Sequence, residues 1–164
     1  MKQDVKKEIV ITEGVQVTLN GITATVKGPK GELSRDFFAP KVTISVKDGK
    51  VVVESKMATK RENKMVLTIA SHIKNMIRGT TEMWTYELKS CSHHFPMNIS
   101  VNANAVTVKN FLGEKKPRIS KILPNVSVKI AGDKITVQSM DIETAGNMAT
   151  RIEKLTQITG RDLR

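Results

Sequence analysis

Residues 99–121 read ISVNANAVTVKNFLGEKKPRISK. Ile99 and Val101 alternate with polar residues, and so do Val106 and Val108 beyond a polar turn, which is the pattern of half-buried strands. The second strand runs into a loop holding Lys109, Lys115, Lys116, Arg118 and Lys121 against one acid, Glu114. A strand feeding a basic loop is a rigid support that presents positive charge. The same layout occurs earlier, at residues 17–32, VTLNGITATVKGPKGE. With Val17 set on Ile99 the frames agree without a gap. Leu19 falls on Val101, Asn20 on Asn102, Thr25-Val26-Lys27 on Thr107-Val108-Lys109, and Gly31-Glu32 on Gly113-Glu114. The chain reads as an internal duplication.

Outward from these stretches the plan is the same in each half. Residues 1–14 read as a polar arm ending in a short strand at Ile9-Val10-Ile11. Asn20-Gly21 between alternating runs marks a hairpin, and Gly28-Pro29-Lys30-Gly31 a second tight loop. Val42, Ile44 and Val46 alternate, Asp48-Gly49 turns, and Val51-Val52-Val53 returns. Thr59 and Glu62 have capping-box spacing. Val66, Ile69, Ala70, Ile73 and Ile77 then form one helical face, with Gly79 as C-cap. Residues 81–96 hold the only Trp and the only Tyr and read as a link plus the entry strand of the second half. There Val126, Val128 and Ile130 alternate, Gly132-Asp133 turns, and Ile135 and Val137 return. Asp141 caps a helix with Ala145, Ala149, Ile152 and Leu155 on one face, ended by Gly160. The expected class is α+β: two tandem duplicated domains, residues 1–82 and 83–164, each an antiparallel β-sheet with one α-helix packed on it.

The 164 residues carry a net charge of +11, and 39% of them are hydrophobic but only 4% aromatic. Cores must therefore be built from Val, Ile, Leu and Met. Residues 1–82 hold 15 basic and 9 acidic groups, residues 83–164 hold 12 and 7, so no single tail carries the charge. Such a balance selects a polyanionic partner. Cys91 is the only cysteine, which excludes an internal disulfide and a multi-cysteine zinc site. No apolar run approaches a membrane span and the N-terminus lacks a signal-peptide core, so no membrane partner and a cytosolic or nuclear place are expected.

Several motifs weigh less than they look. Gly28-Pro29-Lys30-Gly31 lacks the length and Lys-Ser/Thr ending of a phosphate loop; it reads as a β turn, with a Lys30 contact to an RNA phosphate as the lesser use. Cys91, His93 and His94 do not make a metal site, since adjacent strand residues point to opposite faces; His94 or His93 packed against RNA or a neighbouring domain is the better reading. Trp84 and Tyr86 read as packing before base stacking. No carboxylate pair, Ser/His/Asp set or activated nucleophile is visible, so neither an enzyme nor a cofactor is expected. The loop 109–121 remains. Its five cations fall on no alternating apolar position and read as surface charge for RNA, with Asn110 and Gly113 letting the backbone approach. A free-standing RNA-binding module fits these residues as they stand.

His94-Phe95-Pro96-Met97-Asn98-Ile99, followed by Val108-Lys109-Asn110-Phe111-Leu112-Gly113-Glu114-Lys115-Lys116, resembles the universal large-subunit ribosomal protein family numbered six in bacteria and nine in eukaryotes, with the eukaryotic-type branch nearer. Gly28-Pro29-Lys30-Gly31 resembles the family's first-domain loop, and Asp162-Leu163-Arg164 the start of its RNA-contacting tail, which draws in Arg161 and Arg164. The resemblance implies two tandem domains bound to large-subunit rRNA, the second being the main rRNA-binding one. It implies a place near the sarcin–ricin loop and the stalk base, beside neighbouring ribosomal proteins and passing translation factors, in a single copy per ribosome. In a eukaryote it implies nucleolar assembly before the cytoplasmic ribosome. The family pattern continues into an aromatic tail where this chain stops at Arg164, so a reduced or truncated member is expected.

Overall fold

The computed structural model describes residues 3–47, 49–92, 96–158 and 160. Two compact units divide between Met83 and Trp84. In the first, β1 (Gln3–Val10), β2 (Gln16–Asn20), β3 (Thr23–Gly28), β4 (Gly31–Asp36), β5 (Thr43–Lys47) and β6 (Lys50–Ala58) precede α1 (Lys60–Glu82). They form two three-stranded antiparallel sheets, in the orders β1-β6-β5 and β2-β3-β4. The second unit has β7 (Trp84–Lys89), β8 (Asn98–Asn102), β9 (Ala105–Lys109), β10 (Arg118–Lys121), β11 (Val126–Ala131), β12 (Lys134–Ser139) and α2 (Ile142–Leu155). Its sheets run β7-β12-β11 and β8-β9-β10, the same order strand for strand. The duplicated α+β plan is therefore a property of the pairing as well as of the sequence. Each unit carries two small sheets where a single sheet is expected, because the hairpin pairings are local but the return of β6 to β1 and of β12 to β7 is not.

Each core follows its pattern. Val51, Val52 and Val53 are all buried, as befits a central strand covered on both faces. Val66, Ile69, Ala70, Ile73 and Ile77 of α1 are buried as the periodicity requires, and Met76 joins them. In the second unit Val106, Ile135, Val137, Met148 and Ile152 form the buried cluster. Met148 stands on the buried face of α2 between the expected Ala145 and Ala149.

Four local expectations are corrected. The N-terminal arm is a strand, eight residues long, paired along β6, with Val5 and Ile9 packed on the core; charged alternate residues hide it because its outer edge is unpaired. The first hairpin turns on Gly21-Ile22, with Asn20 paired to Thr23 and Gly21 at φ 63°. Helix α1 runs past Gly79 to Glu82. Thr80 explains this: it is buried, its hydroxyl donates to the Ile77 carbonyl at 3.0 Å, and its own carbonyl accepts from Lys30 N–H at 3.0 Å. The β3–β4 turn thus docks on the last turn of α1. A Cβ on Gly28 would lie 2.8 Å from Thr80 Cβ, so the close approach requires glycine. Finally, α2 ends at Leu155, well before Gly160, and its last turn tightens through Thr156 N–H to Glu153 O (3.1 Å) and Gln157 N–H to Lys154 O (3.2 Å).

The frame of the duplication holds and then breaks at an informative place. Gln16 answers Asn98 and Thr23 answers Ala105, as Val17 on Ile99 demands. But β4 starts at Gly31, whereas β10 starts only at Arg118. Gly113-Glu114 therefore does not open a strand as Gly31-Glu32 does. Where the first unit turns in two residues, Pro29-Lys30, the second inserts a loop, residues 110–117. That insertion is the basic loop.

Candidate nucleic-acid interface

Phe111 roots the loop. Its side chain is buried, and residues 111–113 make one turn of 3-10 helix closed by Glu114 N–H to Phe111 O at 2.9 Å. Asn110, Leu112 and Gly113 all have left-handed backbones, at φ 58°, 49° and 74°. For Leu112 that conformation costs about 1–2 kcal/mol, so the surrounding contacts must hold it. Asn110 Nδ2 donates to the Pro96 carbonyl at 3.1 Å, tying the loop to the segment ahead of β8.

Arg118 is where the structure departs most from the sequence reading. It opens β10 opposite Val108, the place that Leu33 takes opposite Val26 in the first unit. Its side chain is only 26% exposed. The guanidinium grips Glu114 through two bonds, Nε to Oε2 at 2.8 Å and Nη2 to Oε1 at 2.7 Å. Nη1 donates to the Leu155 carbonyl at 2.7 Å and to the Gln157 carbonyl at 3.0 Å. Four of its five N–H groups are thus engaged. Its flat face lies 4.5 Å from the Phe111 ring centroid. Its hydrogen bonds to the Glu114 carboxylate raise the Arg118 pKa above its already high ordinary value. Arg118 is therefore a C-cap for α2, supplied from a strand, answering the orphan carbonyls and the negative end of the helix dipole. The reading of Arg118 as a free surface cation off any core position is corrected.

With Glu114 neutralised by Arg118, the loop's outward charge is positive throughout. Lys109, Lys115, Lys116 and Lys121 are exposed and have no ion pair among the described residues. They are not all together. Lys109 ends β9 beside the loop, and Lys115 and Lys116 sit on it, but Lys121 closes the far end of β10 opposite Ala105. That is three residues along the strand from Arg118, on the order of 10 Å. Gly113 is exposed on the loop. Lys30 is exposed at its turn in the first unit. His94, Arg161 and Arg164 lie outside the described residues. Trp84 and Tyr86 sit on β7 opposite Ser139 and Val137, and the Tyr86 hydroxyl is 3.5 Å from where a Gly146 Cβ would stand, so Tyr86 covers α2.

The insertion of a rooted lysine loop into the second of two matched units is a feature that can be set against known proteins. The family model described as Ribosomal protein L6 matches residues 11–83 and again 95–164, once per unit. The chain belongs to the ribosomal protein L6 family. Relatives named Large ribosomal subunit protein uL6 bear this out along the length. That of Methanothrix thermoacetophila is 40% identical over 164 residues, covering 100% of this chain and 93% of the relative. That of Desulfurococcus amylolyticus is 43% identical over 163 residues, covering 98% and 89%. That of Methanosarcina mazei is 41% identical over 164 residues, covering 100% and 93%. Family membership makes the chain a structural constituent of the large ribosomal subunit and not an enzyme. Its place is the ribosome, beside rRNA and other ribosomal proteins. These relatives come from archaea, so the nucleolar step that a eukaryotic source would imply finds no support.

Proposed function

We propose that the protein binds large-subunit rRNA chiefly through its second unit, with Lys109, Lys115 and Lys116 as the main electrostatic contact. The observation that carries this reading is the loop itself: an insertion absent from the sister unit, rooted by Phe111 and bearing lysines without an ion-pair partner among the described residues. Solvated charge needs no such rooting, whereas phosphate contact gains from a fixed array. Lys121 and Lys30 add weaker contacts from other surfaces, and Gly113 lets backbone approach the RNA. Asn110 serves by shaping the loop. His94, Arg161 and Arg164 remain in the proposed contact set on the family resemblance. The same resemblance supports a site near the stalk base and sarcin–ricin loop, next to stalk-base proteins and passing factors, in one copy per ribosome.

Reconstitution tests this reading. Protein added to large subunits lacking it should co-sediment with them, and cross-links from the lysines of residues 109–121 should fall on rRNA near the stalk base. A protein that stays in the soluble fraction at low salt contradicts the reading.

A further inference from the structure

Glu114 and Arg118 stand on either side of Lys115, Lys116 and Pro117. Their two hydrogen bonds, 2.7 and 2.8 Å long, pin both feet of a three-residue arch. Pro117 restricts the arch from within by fixing its own φ. The far side of Arg118 is fixed in turn, by Leu155 and Gln157 carbonyls at the end of α2 and by the Phe111 ring beneath it. Both lysines of the arch are exposed and have no ion pair among the described residues. A half-buried ion pair that also desolvates its charges has little net worth of its own. This one has geometric consequences, because it decides where two adjacent ammonium groups stand.

We propose that Glu114 and Arg118 are positioning residues for RNA: by pinning the arch they hold Lys115 and Lys116 as a pre-formed pair for neighbouring phosphates. The inference rests on the loop being the rRNA contact. It has a consequence opposite in sign to simple electrostatics. An acid in a phosphate-binding loop repels RNA, so removing it should tighten binding if charge alone matters. If Glu114 acts by positioning, removing its charge loosens the arch, and binding weakens although the protein becomes more positive.

The experiment measures binding of the full chain to deproteinised large-subunit rRNA over a range of salt. The variants are Glu114→Gln, Arg118→Lys, Lys115→Ala/Lys116→Ala, and Glu114→Gln in that double-lysine background. Urea unfolding of each variant reports the folded fraction. Glu114→Gln should weaken binding about tenfold, the scale of ordering two rotamer-rich side chains on docking. Its salt slope should fall toward that of the double-lysine variant. Arg118→Lys keeps the charge but loses the fork, and should behave the same way. In the double-lysine background Glu114→Gln should do nothing more. Tighter or unchanged binding by folded Glu114→Gln overturns the inference, and tighter binding would mean that the freed Arg118 touches phosphate itself. A full additional loss in the double-lysine background also overturns it, by showing that Glu114 acts elsewhere. If the double-lysine variant itself binds like wild type, the loop is not the contact, and the proposed function fails along with this inference.

Discussion

At Gly28 the missing side chain is what lets the β3–β4 turn reach α1. A Cβ there would stand 2.8 Å from Thr80 Cβ and 2.9 Å from Thr80 O, with backbone on one side and a buried side chain on the other. Gly28→Ala should therefore destabilise the first unit by about 1–3 kcal/mol, read as a lower urea midpoint in the full chain. Arg118 makes the complementary case. Arg118→Ala leaves the Leu155 carbonyl at the end of α2 and the Gln157 carbonyl just beyond it without their donor, and uncovers Phe111. Amide exchange in the last turn of α2 should quicken and the unfolding midpoint of the second unit should fall, with no RNA present. Neither role is legible in the sequence. Gly28 sits in a loop where glycine needs no special reason, and its true neighbour is 52 residues away. Arg118 sits in a run of lysines, and nothing in the spacing says that its donors belong to carbonyls 37 and 39 residues later.

Helix starts, by contrast, are local chemistry and are legible. Thr59 N–H donates to the Glu62 carboxylate at 2.8 Å, and the Thr59 hydroxyl contacts the same oxygen. Those bonds, the hydroxyl's first and the backbone's second, hold the Glu62 carboxyl below the ordinary carboxylate range. A folded pKa below the unfolded one gives a contribution that is full above the unfolded value and lost as pH falls through the folded value. The protection of the first-turn amides of α1, taken relative to intrinsic exchange at each pH, should thus be lower in acid than near neutrality, and Glu62→Gln should remove that dependence. At α2, Asp141 accepts from Glu143 N–H at 3.2 Å and from Thr144 N–H at 3.1 Å. Asp141→Ala should cost about 1 kcal/mol of stability. Helix ends are read less well because their stops are tertiary: the Thr80 contact carries α1 past Gly79, and Arg118 holds the end of α2 short of Gly160.

On the scale of the whole molecule, one fold is used twice and differently. Both units share strand order and helix, and their net charges are similar, but only the second carries the rooted insertion. The duplication was visible in the sequence because β2–β3 and β8–β9 keep one frame; the insertion was masked because Gly31-Glu32 and Gly113-Glu114 match by chance of spelling while doing different things. In the full chain, replacing Lys27 and Lys30 by Ala should weaken rRNA binding less than replacing Lys115 and Lys116. The most direct test is the salt dependence of that binding with Lys109, Lys115, Lys116 and Lys121 all changed to Ala and Arg118 left in place to keep the fold. If each lysine neutralises one phosphate, the slope of log affinity against log salt should shrink by roughly three units, while the urea midpoint stays near wild type. A folded four-lysine variant with an unchanged slope would show that the loop is a solvated turn and that the RNA surface of this protein lies elsewhere.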